Sequence, residues 1–221
     1  MRYFEGVSPA QIARVEALPL HSRTPPEWGR AALADPIALL IDHAFLEKKA
    51  ANNAMELLTR WPTDWDEEWV ETMTSVAKDE TSHLAHVVKI LLRRGGRLER
   101  QHKNAYANAL RQLVRKGDPR EIVDRLLVAA LIEVRSCERF AVLAAISEDA
   151  ELADFYCALC LSELGHYKVF LKLARRAGPK AAVAERWNEM LVAEARILAA
   201  QEGGPRIHSG WPGARMRGAG N

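Results

Sequence analysis

The sequence predicts an all-α protein organised around four long helices, and two observations support this fold class. Apolar residues recur every three or four positions over long stretches, which is the period of an α-helix. No segment shows sustained alternation with β-branched residues, so we expect no β-strand. The composition is that of a folded globular chain, since 48% of the 221 residues are hydrophobic and 27% are charged.

Capping and turn residues delimit the first two long helices. Asp35-Pro36 pairs an N-cap residue with a proline at the first helical position, which predicts a helix near 36–60 ended by Trp61-Pro62. Thr63 or Asp64 is then expected to cap a second helix near 64–94, whose first turn is acidic. Gly95-Gly96 ends this second helix, because glycine favours a helix C-terminus.

The third and fourth long helices are predicted in the same way. Asp118-Pro119 repeats the Asp-Pro start and predicts a helix near 119–147. Ser147 or Asp149 starts the fourth helix near 149–176, and Gly178-Pro179 ends it. Two helices, one long connection and two more helices form the ferritin-like four-helix layout.

The remaining segments complete a single ferritin-like domain over residues 1–221. The long crossover contains a shorter helical stretch near Glu99–Lys116, stopped by Gly117. An extra C-terminal helix runs to about Gln201, and residues 203–221 form a tail rich in glycine and proline that we expect to be irregular.

The net charge of +2 conceals a strong segregation of charge along the chain. Residues 93–125 carry ten basic and four acidic side chains, and the only charged residues within 168–180 are five bases. The tail from 203 adds three bases and no acid. Such segments indicate either solvated helix faces or an anionic partner such as nucleic acid.

Several classes of protein are excluded by composition. No apolar run approaches the roughly 18 residues that cross a bilayer, so we expect no membrane protein. The N-terminus lacks the apolar stretch of a secretory signal. Three cysteines imply no disulfide framework and favour a reducing, cytoplasmic location. Cys137, Cys157 and Cys160 are expected to be small core residues, because a lone Cys-x-x-Cys in the middle of a helix suits neither a disulfide nor a zinc site.

One glutamate interrupts the apolar stripe of each long helix. A charged residue is rarely buried unless it is paired or binds a metal, so one such position on every helix suggests a shared cation. The four residues are Glu47, Glu80, Glu133 and Glu163.

Two histidines make the metal hypothesis specific. Glu80–His83 and Glu163–His166 are both Glu-x-x-His, and residues at i and i+3 share a helix face, so each pair can hold one ion. Carboxylates and imidazoles in this mixture suit iron or manganese. Two such motifs plus one glutamate from each of the other two helices form the ligand set of di-iron carboxylate bundles. The sequence separations support a repeated arrangement, since 33 residues separate Glu47 from Glu80 and 30 separate Glu133 from Glu163.

Other polar residues near these positions are not expected to bind the metal. Glu138 lies between Arg135 and Arg139 and is expected to pair with arginine. Asp79 either orients a ligating histidine or is a solvated helix acid. His43 and His86 are predicted to be non-ligands.

The sequence resembles the MiaE family, the tRNA 2-methylthio-N6-isopentenyladenosine hydroxylases. The resemblance covers roughly residues 30–212. It is strongest in segments 42–52, 78–83, 132–140, 162–167 and 206–210.

This resemblance implies an O2-dependent di-iron monooxygenase that hydroxylates the isopentenyl group of the adenosine next to the tRNA anticodon. It implies two iron ions as cofactor and O2 as co-substrate. Electrons would come from a separate ferredoxin or reductase, since no flavin or nucleotide fingerprint is visible. The basic segments 93–125 and 168–180 would then contact tRNA phosphates. The iron ligands implied by the resemblance are Glu47, Glu80, His83, Glu133, Glu163 and His166.

Two other functions remain open from the residues themselves. The same ligand set serves ferritin-like oxidases and peroxidases that act on iron, peroxide or small molecules. A non-enzymatic RNA-binding bundle, with purely structural carboxylates, is the third hypothesis.

Overall fold

The computed structural model describes residues 15–62, 64–117 and 119–211, and within these ranges the chain is helical with no strand. The all-α prediction is therefore confirmed. The helices are α1 (Pro26–Leu33), α2 (Pro36–Leu57), α3 (Glu67–Arg93), α4 (Ala105–Arg111), α5 (Glu121–Ile146), α6 (Ala150–Ala177) and α7 (Lys180–Ala199). Among the described residues, no helix has the length and apolar character that a membrane span requires.

Two predicted helix starts are confirmed by their caps. The Asp35 carboxylate accepts a hydrogen bond from the Ala38 amide at 3.0 Å, and Pro36 is the first residue of α2. The Asp149 carboxylate accepts from the Leu152 amide at 3.2 Å at the start of α6. Both contacts satisfy an amide that a helix start otherwise leaves without a partner.

The start of α3 differs from the prediction. Asp66, rather than Thr63 or Asp64, is the N-cap, because its carboxylate accepts from the Trp69 amide at 3.1 Å. Thr63 itself lies outside the described residues.

The crossover helix is also shorter than the predicted 99–116. Asn104 caps it by accepting from the Ala107 amide at 2.9 Å, and residues up to 103 are irregular. The imidazole of His102 fixes this irregular stretch to α2 through the Asp42 carboxylate at 2.7 Å.

Helix α5 begins at Glu121 with Arg120 at its N-cap, so Pro119 is not the first helical residue that the Asp-Pro pair predicted. Asp118 and the tail beyond 211 lie outside the described residues.

The chain forms two compact units. The α2–α3 unit comprises Asp35–Lys103, in which α2 and α3 pack along each other. Its buried face contains Leu40, Ala44, Met73 and Val87, while the opposite helix faces are exposed. Such amphipathic helices bury one apolar stripe each.

The α5–α6 unit comprises the described residues of Met1–Ala34 and Asn104–Asn221. Its central helix α5 is buried on nearly all sides and packs against α6, α1, α7 and α4. Helix α1 approaches α5 closely at Gly29, where a Cβ atom would lie 2.4 Å from the Ile146 side chain. That close approach explains why glycine stands at this position.

Candidate metal centre

Three predicted ligands meet in the α2–α3 unit. Glu47, Glu80 and His83 present donor atoms within 4.8 Å of one another. The Nδ1 atom of His83 lies 3.5 Å from Oε2 of Glu47 and 3.6 Å from Oε2 of Glu80. Both carboxylates are buried, with 4% and 1% of their residue surface exposed. We name this group the α2–α3 cluster.

His43, which was predicted to be a non-ligand, also contacts the α2–α3 cluster. Its Nε2 atom lies 2.5 Å from Oε1 of Glu47, and the imidazole is fully buried. The two residues are four positions apart on α2, so they share a helix face. That spacing is the signal by which the contact could have been predicted.

The other three predicted ligands meet in the α5–α6 unit. Glu133, Glu163 and His166 present donor atoms within 4.8 Å of one another, and all three are buried. The Nδ1 atom of His166 lies 3.1 Å from Oε2 of Glu163. We name this group the α5–α6 cluster.

The two clusters have the same composition and the same local geometry. Each contains two carboxylates and one imidazole, and each imidazole directs Nδ1 toward a carboxylate on its own Glu-x-x-His motif. Two buried carboxylates in so small a space repel one another, and a cation removes that cost. Oxygen and nitrogen donors in this mixture fit iron or manganese, so each cluster is compatible with a metal site.

Glu138 takes the structural role predicted for it. Its carboxylate accepts from Nη1 of Arg135 at 2.7 Å and from the Thr24 amide at 2.7 Å. Burial raises the pKa of Glu138, but the charges of Arg135 and Arg139 and the Thr24 hydrogen bonds outweigh it and lower the pKa below its ordinary value. The pairing of Glu138 with arginine is therefore confirmed.

The cysteines are free thiols, and only two of them are core residues. Cys137 and Cys160 are buried, with their sulfur atoms 3.6 Å apart between α5 and α6. Cys157 is partly exposed, so the expectation of a core position is wrong for this residue. His86 is exposed and Asp79 is half-buried on α3.

The basic segments are largely solvent-facing. Most of their charges are exposed, including Arg93, Arg97, Arg100, Lys103, Arg111, Lys116, Arg120, Lys168, Lys172, Arg175, Arg176 and Lys180. Arg115 pairs with Asp124, and Arg125 pairs with Glu121.

The chain resembles a solved structure titled "Protein 43 with aldehyde deformylating oxygenase activity from Synechococcus". The two share 34% sequence identity and a TM-score of 0.80, over 86% of this chain and 96% of the other. This likeness, together with the helix order, confirms the ferritin-like fold class.

Two curated relatives carry the same name, tRNA 2-(methylsulfanyl)-N(6)-isopentenyladenosine(37) hydroxylase. The protein of Pseudomonas putida is 41% identical over 86% of this chain and 92% of its own length. The protein of Salmonella typhimurium is 30% identical over 78% of this chain and 62% of its own length. The family model described as tRNA-(MS[2]IO[6]A)-hydroxylase (MiaE) matches residues 11–209. This chain therefore belongs to the MiaE family of tRNA hydroxylases, which are enzymes of the oxidoreductase class.

Proposed function

We propose that this protein hydroxylates the isopentenyl group of 2-(methylsulfanyl)-N6-isopentenyladenosine at position 37 of tRNA, next to the anticodon. The observation that carries the proposal is the pair of matching carboxylate–histidine clusters in a chain of this family. The curated relatives are named for that nucleoside, which is the reason for choosing it as substrate.

The proposed cofactor is a pair of iron ions. Glu47, Glu80 and His83 would supply one set of ligands, and Glu133, Glu163 and His166 the other. When bound, the iron pair supplies the activation of O2 that oxidation of an unactivated C–H bond needs. The protein supplies ligand geometry and a dry environment.

The protein side chains would balance charge, orient a carboxylate and exclude water. The four carboxylates balance the positive charge of the ions in a buried region, where an unbalanced charge is costly. His43 holds Glu47 by its Nε2 contact at 2.5 Å and so limits the orientations of that carboxylate. Apolar neighbours on the same stripes, such as Ala44, Met73 and Phe140, exclude bulk water.

Transfer RNA is the proposed partner, and the exposed bases of segments 93–125 and 168–180 would contact its phosphates. Simultaneous reversal of Arg93, Arg94 and Arg97 to glutamate should weaken tRNA binding and reduce its salt dependence, because fewer counterions are released. Iron content should not change, since these residues lie at the end of α3, at least ten positions beyond His83. Unchanged tRNA affinity would contradict this assignment.

The electrons are proposed to come from an external ferredoxin or reductase, in the cytoplasm where tRNA is modified. The decisive experiment is mass spectrometry of nucleosides from isopentenylated tRNA, incubated with the iron-loaded protein, O2 and a chemical or protein reductant. We expect a gain of about 16 Da on the modified adenosine, the mass of one oxygen atom. A protein that holds two irons and consumes O2 without this product would contradict the proposal.

A second candidate function is oxidation of a small molecule without RNA. The Synechococcus protein favours it, because its title assigns aldehyde deformylating oxygenase activity to the same fold. Turnover of a fatty aldehyde in the absence of tRNA, together with no product on tRNA, would support this alternative.

A further inference from the structure

Two thiols lie one helical turn from carboxylates of the α5–α6 cluster. Cys137 follows Glu133 by four positions on α5. Cys160 precedes Glu163 by three positions on α6. At these separations each cysteine shares a helix face with its glutamate. The two thiols therefore form the layer next to the carboxylates in the packing between α5 and α6.

The two sulfur atoms touch each other across the helix interface. Sγ of Cys137 lies 3.6 Å from Sγ of Cys160, and both residues are free thiols. No other atom fits between two sulfur atoms at this distance. Because sulfur atoms in a disulfide are about 2.05 Å apart, bond formation needs an approach of roughly 1.5 Å, which rotation about the Cα–Cβ bonds can supply.

The third cysteine is less suited to a disulfide. Cys157 lies three positions before Cys160 on the same helix and is partly exposed. Residues at this spacing have Cβ atoms about 5–6 Å apart, whereas a disulfide spans roughly 3.5–4.5 Å between Cβ atoms. The contact between α5 and α6 therefore favours Cys137 over Cys157 as the partner of Cys160.

The surroundings of the two touching thiols indicate which one reacts first. Cys160 keeps 7% of its surface exposed, whereas Cys137 is fully buried. The hydrogen bond between the thiols lowers the pKa of Cys160 despite its burial, and the same bond together with burial raises the pKa of Cys137. Because the thiolate is the nucleophile, Cys160 is the sulfur that a small oxidant reaches and oxidises first.

We propose that Cys137 and Cys160 form a redox site that reduces hydrogen peroxide and becomes an intramolecular disulfide. The sulfur of Cys160 attacks one peroxide oxygen, the O–O bond breaks, and a sulfenic acid and one water form. The sulfur of Cys137 then displaces the hydroxyl group as a second water while the S–S bond forms. The thiols lose two electrons and two protons in total, and one peroxide becomes two waters.

This inference goes beyond the proposed function, because the thiols react with peroxide whether or not tRNA is hydroxylated. Hydrogen peroxide forms whenever O2 gains two electrons and two protons without oxidising a substrate. In a reducing compartment a disulfide of this kind is temporary, because cellular thiols reopen it. The pair would thus remove peroxide repeatedly beside Glu133 and Glu163.

Thiol counting and peptide mapping after peroxide treatment test the proposal. Full-length protein treated with one equivalent of hydrogen peroxide should lose two of its three free thiols. Its intact mass should fall by about 2 Da, the mass of two hydrogen atoms, and unreduced peptides should be linked from Cys137 to Cys160. Dithiothreitol should restore all three thiols. Three unreacted thiols, or oxidation that starts at the more exposed Cys157, would overturn the proposal.

Two cysteine variants assign the bond to its partners. Cys157→Ser is the matched control and should form the same disulfide. Cys137→Ser should leave Cys160 without a partner, so oxidation should stop at a sulfenic acid that dimedone traps. A cross-link within Cys137→Ser, or no disulfide in Cys157→Ser, would contradict the assignment. Circular dichroism checks that the variants fold, and peptide mapping of the unaltered protein decides the question even where a variant does not.

Failure of this inference can be told apart from failure of the proposed function. The peroxide experiment uses no tRNA, and its readout is a bond between two sulfur atoms. Protein that forms the hydroxylated nucleoside while all three thiols resist peroxide would refute the redox site alone. Protein that forms the disulfide and yields no hydroxylated nucleoside would refute the proposed reaction alone.

Discussion

The two carboxylate–histidine clusters have the same types of side chain but different supporting contacts. In the α2–α3 cluster the neighbours of the ligands along the chain are exposed, as at Lys48, Lys49 and Thr81, and support comes from His43 next to Glu47. In the α5–α6 cluster Glu133 sits on a helix buried on nearly all sides. The carboxylates are thus supported by a neighbour on the same helix in one unit, and by packing of the whole helix in the other.

The remote support of α5 is a buried ion network. Nε and Nη2 of Arg135 donate to the two oxygens of Glu194 on α7 at 2.8 and 2.9 Å. Tyr106 on α4 donates to the same Glu194 carboxylate at 3.0 Å, and burial together with the Glu194 charge raises the pKa of Tyr106. Burial alone lowers the pKa of Arg135, but the charges of Glu138 and Glu194 raise it above its ordinary value. Arg135 and Glu138 therefore stay ionised inside the protein.

Arg139, a second buried arginine of α5, contacts α1 and the C-terminal segment. Arg139 is fully buried, stacks 3.8 Å from the Trp28 ring and donates to the Ser209 carbonyl at 3.0 Å. Burial lowers its pKa to about 9. Because Trp28 lies on α1 and Ser209 in the C-terminal segment, this side chain ties both to α5.

The largest expected effect comes from replacing Glu133, the proposed metal ligand on α5. Glu133→Ala should remove a metal ligand and lower turnover by more than about 100-fold, since loss of even a supporting partner costs 10- to 100-fold. Glu138→Ala, five residues along the same helix, should keep both irons and lose stability instead. Iron content after anaerobic loading and product formation on tRNA are the measurements.

The pair of variants also tests the choice between these two glutamates. If Glu133→Ala retained two irons and full turnover while Glu138→Ala lost both, Glu138 would be the ligand. Its hydrogen bonds to Thr24 and Arg135 would then have to be given up when metal binds.

The next largest effect concerns the ion network. Glu194→Ala should lower the free energy of unfolding by about 3–5 kcal/mol, because it leaves the fully buried Arg135 without its bidentate partner. Denaturant unfolding monitored by circular dichroism measures it. Glu185→Ala on the exposed face of α7 is the control and should change stability by less than about 0.5 kcal/mol. A loss below about 1 kcal/mol in Glu194→Ala would show that the network contributes little.

The sequence predicted which carboxylates and histidines come together more completely than it predicted the contacts that support them. A glutamate on an apolar stripe and the Glu-x-x-His spacing are local patterns, so Glu80–His83 and Glu163–His166 were visible directly. The Arg135–Glu194 pair joins residues 59 positions apart, and nothing local marks two exposed-looking charges as buried partners.

A smaller effect tests the local support of the α2–α3 cluster. His43→Ala removes the contact to Glu47 and should lower iron affinity about 10- to 100-fold, as loss of a ligand-orienting partner does. Competition with a chelator during iron titration measures this change. His86→Ala, an exposed histidine on α3, is the matched control. Unaltered affinity in His43→Ala would mean that Glu47 is held by other contacts, and the contrast between the clusters would disappear.

The smallest expected effect concerns the N-terminal caps of α2 and α6, one in each unit. Asp35→Ala at α2 and Asp149→Ala at α6 each remove one capping hydrogen bond and should each cost about 1 kcal/mol of stability. Asn52→Ala and Asp154→Ala, exposed positions on the same helices, are the controls and should change little. Glu47 and Glu163 lie three turns or more beyond these caps, so iron affinity should stay the same in both variants. Equal losses of stability in the two variants would mean that the units differ only in the contacts around the clusters. A much larger loss of stability in Asp149→Ala would mean that the whole of α6 contributes to the difference.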